Sequence, residues 1–553
     1  RGPMSDYDYD LGNYSFPVTT SSPEAQTWFD RGLAWCYGFN HEEAVDCFER
    51  AEAADPACAM AVWGIAYAAG PNYNKQWPDF GEQERPVSLK RCRRESRRAL
   101  EMAANASPLE QSLCAALVQR YPLEGEDYEA WNDTFAAAMR PIHAAHGDHL
   151  DVVTFFADSM MNRTPWALWD LDTGEMSEGA STAEIIAVLE GALESVEGAW
   201  VHPGLLHMHV HVMEMSPHPE RALKTGDALY DTMPDSGHLR HMPTHIDVLC
   251  GNYQAVVERN HAAVVADRMF VEREGVLNYY TGYRAHDYHF KAYGAMFLGQ
   301  YKPAMEAAEE LIATTPKEVL EVGNPPYADW LEAYIPIKQH VLIRFGKWQE
   351  ILDEPLPDDP DLYCVTTATI RYTRAVAYAA TGRVAEAEAE RDLFFEALER
   401  VPDSRRLFNN TARDILSVAE QMLLGELEYR KGNYDVAFDH LRKSVEINDH
   451  LPYDEPWAWM QPTRHALGAL LMEQGHYEEA EAVYRADLGL DDTLRRPCQH
   501  PDNVWSLHGL HECLVRRGEK GEARIIKQRL DLASARCDVP VRASCYCRMA
   551  EAA

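Results

Sequence analysis

A recurring glycine joint is the feature that most constrains the fold of this chain. In "LGQYKPAMEAAEEL", "KGNYDVAFDHLRKS" and "QGHYEEAEAVYRAD", an apolar helical segment ends at a glycine, and an aromatic residue two positions later opens the next segment. Glycine suits this position because a helix that ends in a tight turn needs a residue free to adopt positive φ. The joint recurs at spacings of 36 to 50 residues, at Gly251, Gly299, Gly346, Gly382, Gly432, Gly475 and Gly518. The pattern predicts a tandem array of helical hairpins with almost no strand.

The segment "WFDRGLAWCYGFNHEEAVDCFERAEAADP" (28–56) has the aromatic, small and alanine positions of a tetratricopeptide repeat. Together with the seven joints, it makes the chain resemble the tetratricopeptide-repeat family along nearly its whole length. The resemblance implies an all-α fold, a right-handed superhelix (α-solenoid) whose first helices line a concave groove. We expect a leader at 1–20 that begins with an "RGP" expression remnant, a single array at 21–535, and a cysteine-containing tail at 536–553. Loop-like insertions are predicted near 70–86, 163–182 and 353–363, and the histidine-rich centre near 203–300.

The net charge of the chain limits the classes of partner that it can bind. The 553 residues include 52 Lys and Arg against 88 Asp and Glu, for a net charge of −36. Phosphate groups need a basic face, so neither a nucleic acid nor an anionic membrane surface is expected. No apolar run reaches membrane-spanning length, and the acidic start lacks the apolar core of a signal peptide. The composition therefore predicts a cytoplasmic protein.

The twelve cysteines fall mostly inside apolar helical patterns, which predicts reduced, buried thiols. The tail is the exception, because Cys537, Cys545 and Cys547 lie close together in "CDVPVRASCYC". These three residues are consistent with a metal site, with a disulfide or with unused thiols in a packed tail. Unused thiols are the simplest interpretation.

Histidines recur at fixed offsets before consecutive joints. They lie thirteen, ten and six residues before Gly251, and thirteen and ten residues before Gly299. One 34-residue unit before Gly251 the joint falls at Pro217, with histidines ten and six residues before it and a glutamate three before it. Because offsets of three and four place residues on one helix face, the array stacks three ligand-bearing helices. The residues at these offsets are His207, His211, Glu214, His238, His241, His245, His286 and His289.

This register separates the other histidines from the set. His209 falls on the opposite side of its helix, where we expect a core or supporting role, and His218 falls in the turn. His340 lies six residues before Gly346, and its role is open. The alternation H-M-H-V-H at 207–211 resembles a strand, but the register predicts a helix that ends near Met215.

The eight residues form a predicted metal site, since two histidines at i and i+4 can hold one ion. An imidazole-rich set suits copper, iron or zinc, and the neighbouring thioethers of Met208, Met213, Met215 and Met242 favour copper. The alternative is a polar peptide groove or a packing network.

A second resemblance is more specific. The phrases "HMHVHVME", "GHLRHMPTHI", "GYRAHDYHF" and "TPWALWD" look like those of a histidine-rich branch of tetratricopeptide-repeat proteins. Membership implies a shared site in the groove and does not supply a reaction. Tyr279, Tyr280 and Tyr283 could line this site, and Trp166 and Trp169 could cap it, although ordinary packing explains all five equally well.

The leading functional prediction is a metal-dependent oxidoreductase, with copper first and iron next. It would use one or two ions and dioxygen on a small organic molecule, with Glu214 as a ligand or a catalytic base. The second hypothesis is a zinc-dependent hydrolase or lyase with Glu214 as the general base. The third is a non-enzymatic peptide-binding scaffold, which is disfavoured because such grooves usually clamp carboxylates with Lys and Arg. Fold alone does not decide among these.

Overall fold

The computed structural model describes residues 7–549, so the predicted "RGP" remnant and the last four residues of the tail lie outside the described residues. Between residues 7 and 549 the regular structure is almost entirely helical. The one ladder there is a short antiparallel pair, β1 (Arg406–Leu407) with β2 (Asn410–Thr411), in which Arg406 pairs with Thr411. The predicted all-α class is confirmed. No helix in the described range is both long and apolar enough to cross a membrane.

The chain divides into two compact units. The first runs to Ile246 and also includes Ala262–Arg284, and the second comprises Asp247–His261 and the residues from Ala285 onward. The division passes through α12, α13 and α14, whose bounds follow. It falls inside the array that the sequence predicts for 21–535.

The helices up to the division range in length from 5 residues in α11 to 22 residues in α13. They are α1 (Pro23–Tyr37), α2 (His41–Ala54), α3 (Ala59–Ala69), α4 (Glu84–Met102), α5 (Pro108–Arg120), α6 (Tyr128–Ala145), α7 (Leu150–Met161), α8 (Thr182–Ser195), α9 (Pro203–Glu214), α10 (Leu223–Tyr230), α11 (Gly237–His241), α12 (Thr244–Leu249), α13 (Tyr253–Glu274) and α14 (Thr281–Phe297). Short 3-10 turns at Trp77–Asp79, Ala103–Asn105, Ala199–Val201 and Pro219–Ala222 join some of them.

The second unit continues with the same helix–turn–helix pattern. Its helices are α15 (Tyr301–Ala313), α16 (Lys317–Leu320), α17 (Tyr327–Leu331), α18 (Ile337–Arg344), α19 (Trp348–Asp353), α20 (Cys364–Ala380), α21 (Val384–Glu399), α22 (Ala412–Arg430), α23 (Tyr434–Asp449), α24 (Thr463–Glu473), α25 (Tyr477–Asp487), α26 (Val504–Arg516) and α27 (Lys520–Ser534). Short 3-10 turns lie at Glu332–Tyr334 and Arg496–Cys498.

The joint glycines have the conformation that the repeat requires. All seven have positive φ, between 63° at Gly346 and 83° at Gly382. Consecutive helices pack in pairs across such turns, as α20 does with α21 and α22 with α23. Small residues allow the close packing: a Cβ placed on Gly32 or Gly64 would lie 2.6 or 2.5 Å from the ring of Phe48. The glycine joints and the packing of small residues against large ones together give a helical-repeat fold of the tetratricopeptide type.

The cysteines follow the prediction except in the tail. Ten are free thiols, and eight of these are buried. Cys545 and Cys547 form a disulfide, so the interpretation of unused tail thiols is wrong for this pair. The sequence could not decide this, because a one-residue spacing is compatible with metal binding, disulfide formation or neither. Cys537 keeps its thiol, which donates to the carbonyl oxygen of Leu298 at 3.2 Å.

Candidate metal centre

Helix α9 carries the first two histidines of the site. Pro203 occupies its first turn, where a missing amide hydrogen costs nothing, and the His202 side chain caps it by accepting a hydrogen bond from the Leu205 amide. The helical rise places His207 and His211 on one face with Glu214, which confirms the helix over the strand that the alternation resembles. All twelve residues of α9 are buried, in agreement with its enclosed position.

His209 points to the other side of α9. Its Nδ1 lies 2.7 Å from the Thr225 hydroxyl oxygen, and its Nε2 lies 3.2 Å from a carboxylate oxygen of Glu190. Both ring nitrogens therefore have protein partners, which agrees with the predicted supporting role. His218, predicted in the turn, has a side chain that is 66% exposed.

The next three histidines lie on two helices rather than one. The sequence predicts a single helix through His238, His241 and His245, but α11 ends at His241 and α12 begins at Thr244. Pro243 causes the break, because it has no amide hydrogen and its ring clashes with the carbonyl one turn earlier. The pairing survives the break, since His241 Nε2 and His245 Nε2 are 2.7 Å apart.

Five imidazoles form a closed ring, which we call the histidine cluster: His207, His211, His238, His241 and His245. Around the ring, neighbouring centroids are 4.7 Å apart for His207–His211, 6.2 Å for His211–His245, 4.7 Å for His245–His241, 5.7 Å for His241–His238 and 5.0 Å for His238–His207. One ligand nitrogen from each of His207, His211 and His238 lies within 4.8 Å of the others. A tetrahedral ion with bonds of ~2.0–2.1 Å separates its nitrogens by ~3.3 Å, so small rotations suffice to bind one.

Acceptors behind the cluster fix the imidazole tautomers. His207 Nδ1 donates to the carbonyl oxygen of Tyr37 at 2.6 Å. Both oxygens of Glu214 are used in the same way, accepting from His211 Nδ1 at 2.6 Å and from His245 Nδ1 at 2.9 Å. Because a carbonyl or carboxylate oxygen only accepts, each Nδ1 carries the proton and each Nε2 carries a lone pair. This arrangement orients metal-binding histidines in many proteins.

Two of those lone pairs have no protein partner. His207 Nε2 and His211 Nε2 are buried and make no hydrogen bond to the described residues. A buried nitrogen left without a partner costs roughly 1–3 kcal/mol, so two on adjacent residues are unusual unless a ligand compensates. The imidazole nitrogens thus fit a metal ion in number, tautomer and position.

Burial sets the charge of His207 and His211. Removal from water lowers the pKa of His207 well below its usual value, and it also lowers the pKa of His211. Both imidazoles are therefore neutral at pH 7, the form that binds metal. For Glu214, burial raises the pKa, but the neighbouring His245 and His211 more than offset it and bring the pKa to about 2. Glu214 is thus an ionised acceptor and a weak base.

Aromatic rings enclose the cluster. Phe39, in the turn after α1, lies with its centroid 4.3 Å from His207, 5.6 Å from His211 and 5.3 Å from His238. Trp166, in the loop after α7, meets His211 edge-on at 5.5 Å. Phe39 and Trp166 have φ of 58° and 60°, a conformation rare for bulky residues that tends to occur at functional sites.

The loop after α3 completes the enclosure. Tyr73 lies 5.1 Å from His211, and its hydroxyl oxygen accepts a hydrogen bond from the Trp166 amide at 3.2 Å. Asn74 accepts from the Trp166 indole at 3.2 Å. The sequence predicts an insertion at this loop but does not mark Tyr73 and Asn74, or Phe39 in the turn after α1, as site residues. The only signal for Tyr73 and Asn74 is the "GPNYN" phrase, and Phe39 lies outside it. The contacts of all three residues to His211 or Trp166 span more than ninety residues of chain.

The predicted tyrosine lining is partly present. The Tyr280 hydroxyl oxygen accepts from the His238 amide at 3.0 Å, and the Tyr283 ring meets the His238 ring edge-on at 4.9 Å. Trp169 is a structural anchor, with its indole donating to the carbonyl oxygen of Val212 at 2.7 Å.

His286 and His289 lie on the part of α14 that belongs to the second unit, and their place in the site stays a prediction. His286 is half-buried and packs edge-on against Phe290 at 5.7 Å. His289 is buried, its ring lies 5.1 Å from Tyr334, and its Nδ1 has no hydrogen-bond partner among the described residues. Burial, aided by the imidazole of His340, lowers the pKa of His289 to about 3.

Comparisons with known proteins add little to this geometry. No protein-family model matches the sequence, and no curated protein matches it. The solved structures to which the chain is similar include the following three. The APC/C hetero-tetramer Cut9–Hcn1 has 12% identity over 89% of this chain and 76% of that chain, with a TM-score of 0.28. Yeast Tom70 has 10% identity over 91% and 98%, with a TM-score of 0.26. The human IFIT1 dimer with m7Gppp-AAAA has 11% identity over 94% and 92%, with a TM-score of 0.24. At these scores none of them bears on the function of the site.

Proposed function

We propose that the histidine cluster binds a transition-metal ion through Nε2 of His207, His211 and His238, and that the protein is a metal-dependent oxidoreductase. One observation carries the proposal. The Nε2 atoms of His207 and His211 are buried without partners, while each Nδ1 donates to a fixed acceptor. A packing network would use both nitrogens, whereas a metal ligand needs one of them free.

The position of Glu214 favours redox chemistry over hydrolysis. A zinc hydrolase with Glu214 as the general base would need a carboxylate oxygen available to a bound water. Here both oxygens accept from histidine Nδ1 atoms, and a pKa of about 2 makes the carboxylate a weak base at neutral pH. Glu214 therefore acts as a positioning residue that orients His211 and His245.

The donor set favours copper. Three imidazoles without a carboxylate ligand suit copper better than the two-histidine, one-carboxylate arrangement typical of iron oxygenases. His241 and His245 present a second pair of Nε2 atoms beside the first three, which could hold a second ion. The nearby methionines, whose thioethers favour copper, are all buried: Met208, Met213, Met215 and Met242.

A bound copper ion would supply one-electron chemistry with dioxygen inside an enclosed pocket. The protein's own contribution is orientation and exclusion of water. Tyr37 and Glu214 hold the imidazoles in one tautomer, and Phe39, Tyr73 and Trp166 cover them. Such a pocket suits a small organic substrate better than a peptide, because the five clustered histidines are only 0–4% exposed.

Metal analysis of protein purified without chelator or nickel resin tests this proposal. We expect one to two equivalents of copper, together with oxygen consumption when phenolic or amino-acid-like compounds are added. Zinc as the sole bound metal, with no oxygen consumption, would favour the hydrolase. A protein that holds no transition metal even after incubation with copper would show that the proposal is wrong.

A further inference from the structure

The C-terminal tail is held in place inside the second unit. The guanidinium of Arg344 donates to the carbonyl oxygen of Ser544, and the Ser544 hydroxyl donates to the carbonyl oxygen of His465 at 2.7 Å. Arg430 donates to the carbonyl oxygen of Cys547, and the neighbouring Arg548 pairs with a carboxylate of α26 at 2.7 Å. These contacts fix the backbone on both sides of the Cys545–Cys547 disulfide.

A structural purpose does not explain this disulfide. A disulfide stabilises a fold mainly by restricting the unfolded chain, and the restriction grows with the length of the loop it closes. Cys545 and Cys547 are two positions apart, so the bond restricts almost nothing. The other ten cysteines are free thiols. Among proteins that keep their thiols, an isolated disulfide is usually catalytic or redox-sensing.

The disulfide lines a cavity. The cavity has a volume of about 50 Å³, and its wall includes Cys545, Cys547, Arg344, Thr463 and Trp459. The Nε atom of Arg344 and the hydroxyl of Thr463 are buried and have no hydrogen-bond partner among the described residues. A space of this size holds roughly three or four waters, or the polar end of a small molecule. Two residues with an unused polar group and both cysteines of the disulfide therefore line one small space.

The two sulfur atoms are not equivalent. The backbone amide of Cys547 donates to Cys545 Sγ at 3.1 Å. Cys545 is half-buried, whereas Cys547 is only 4% exposed. Attack from outside is therefore expected at Cys545, with the buried Cys547 as the partner that re-forms the bond.

We propose that Cys545 and Cys547 form a redox-active disulfide that exchanges with a low-molecular-weight thiol. The incoming thiolate bonds to Cys545 Sγ, the Cys545–Cys547 bond breaks, and Cys547 leaves as a thiolate that takes up a proton. A second thiolate attacks the sulfur of the bound thiol, releases it as a symmetric disulfide and leaves Cys545 reduced. Two thiols are oxidised and one protein disulfide is reduced, so electrons and atoms balance. The inference does not depend on the metal centre.

Redox titration of the full chain with mixtures of reduced and oxidised glutathione tests the proposal. Native alkylation followed by peptide mass spectrometry reports which cysteines are thiols at each ratio. We expect Cys545 and Cys547 to convert together and reversibly, while the eight buried cysteines stay unreactive. A pair that stays oxidised at every ratio, or that fails to re-form, would overturn the proposal, as would reduced thiols that hold a metal ion instead.

Single substitutions identify the attacked sulfur. Cys547→Ser treated with oxidised glutathione should retain one glutathione on Cys545, because the resolving sulfur is gone. Cys545→Ser should add glutathione to Cys547 at least about tenfold more slowly, because that sulfur is buried. Cys537→Ser is the matched control, because the Cys537 thiol donates a hydrogen bond to the carbonyl oxygen of Leu298. This substitution should leave the titration of Cys545 and Cys547 unchanged. Equal trapping at 545 and 547 would contradict the assignment of Cys545.

Discussion

Two groups of buried histidines around a carboxylate differ in how they use their ring nitrogens. In the first unit, Glu214 accepts from two members of the histidine cluster. In the second unit, the Asp487 carboxylate accepts from His465 Nε2 at 2.8 Å, His500 Nδ1 at 2.8 Å and the side-chain amide of Asn503 at 3.0 Å. The other nitrogen of His465 lies 2.9 Å from the Arg344 guanidinium.

The comparison separates a packing role from a ligand role. His465 has both ring nitrogens partnered by protein atoms, so it needs nothing more to be stable in the interior. His207 and His211 each have one nitrogen partnered and one that is not. Burial and a carboxylate neighbour are common to both groups, so neither property identifies a metal site. A buried ring nitrogen without a hydrogen-bond partner is the property that identifies a metal site.

The largest effect should come from removing the two unpartnered nitrogens. We expect His207→Ala/His211→Ala to lose metal affinity by more than about 100-fold, because the loss of direct ligands should exceed the 10–100-fold typical of outer partners. Equilibrium dialysis with copper measures it. His209→Gln on the same helix is the matched control, since both nitrogens of His209 already bond to protein atoms. Equal losses of metal affinity in the two variants would show that an unpartnered ring nitrogen does not identify a metal ligand.

The second-largest effect on metal affinity should come from changing Glu214. Glu214→Gln keeps the shape but replaces one accepting oxygen with an amide that donates, so one of the two histidines loses its fixed tautomer. Metal affinity should fall about 10–100-fold while the bound stoichiometry at saturation is kept. The exposed variant Glu220→Gln should behave as the wild type. If Glu214→Gln instead abolished turnover with affinity unchanged, Glu214 would be a catalytic base.

Acid should weaken the Asp487 group in a defined pH range. Burial lowers the pKa of His465 from 6.5 to about 4. Between these values the unfolded chain takes up a proton that the folded chain does not, so stability falls as the pH falls from about 6.5 towards 4. At pH 5 the loss is about 2 kcal/mol relative to pH 7.5. Urea unfolding at both pH values measures it, and His465→Gln should flatten the dependence. An unchanged slope in that variant would assign the effect to other groups.

The smallest effect should come from the aromatic cover. Phe39→Leu keeps an apolar side chain in the turn but loses the ring packed against three imidazoles. We expect a loss of about 1 kcal/mol in the free energy of unfolding and no change in metal stoichiometry. Phe408→Leu is a suitable control, because Phe408 also has positive φ but is 39% exposed. A Phe39→Leu variant that binds no metal would place Phe39 among the residues that build the site.

The local parts of this architecture follow from the sequence. The glycine joints predict the turns, and the i, i+3 and i, i+4 spacing predicts which residues of α9 share a face with Glu214. Such features depend on neighbours within one or two helical turns, where periodicity is a direct consequence of helix geometry. The same reasoning separates His209 from His211.

The parts of the architecture that depend on contacts between distant residues do not follow from the sequence. Phe39 and Tyr73 reach the cluster from loops more than 130 residues away in sequence, and no periodic pattern encodes those contacts. The break at Pro243 could have been expected, but the survival of the His241–His245 pair across it could not. Whether Glu214 serves as ligand, base or orienting acceptor depends on which nitrogens surround it, which only the folded arrangement shows.

The position of a bound ion tests the central claim most directly. Crystals of protein loaded with copper, measured at the copper absorption edge, would show the ion as an anomalous difference peak. We predict a peak bonded to Nε2 of His207, His211 and His238, with Nδ1 of His211 still donating to Glu214. A crystal with copper only elsewhere, or with both nitrogens of His207 and His211 bonded to protein atoms or water, would contradict the account.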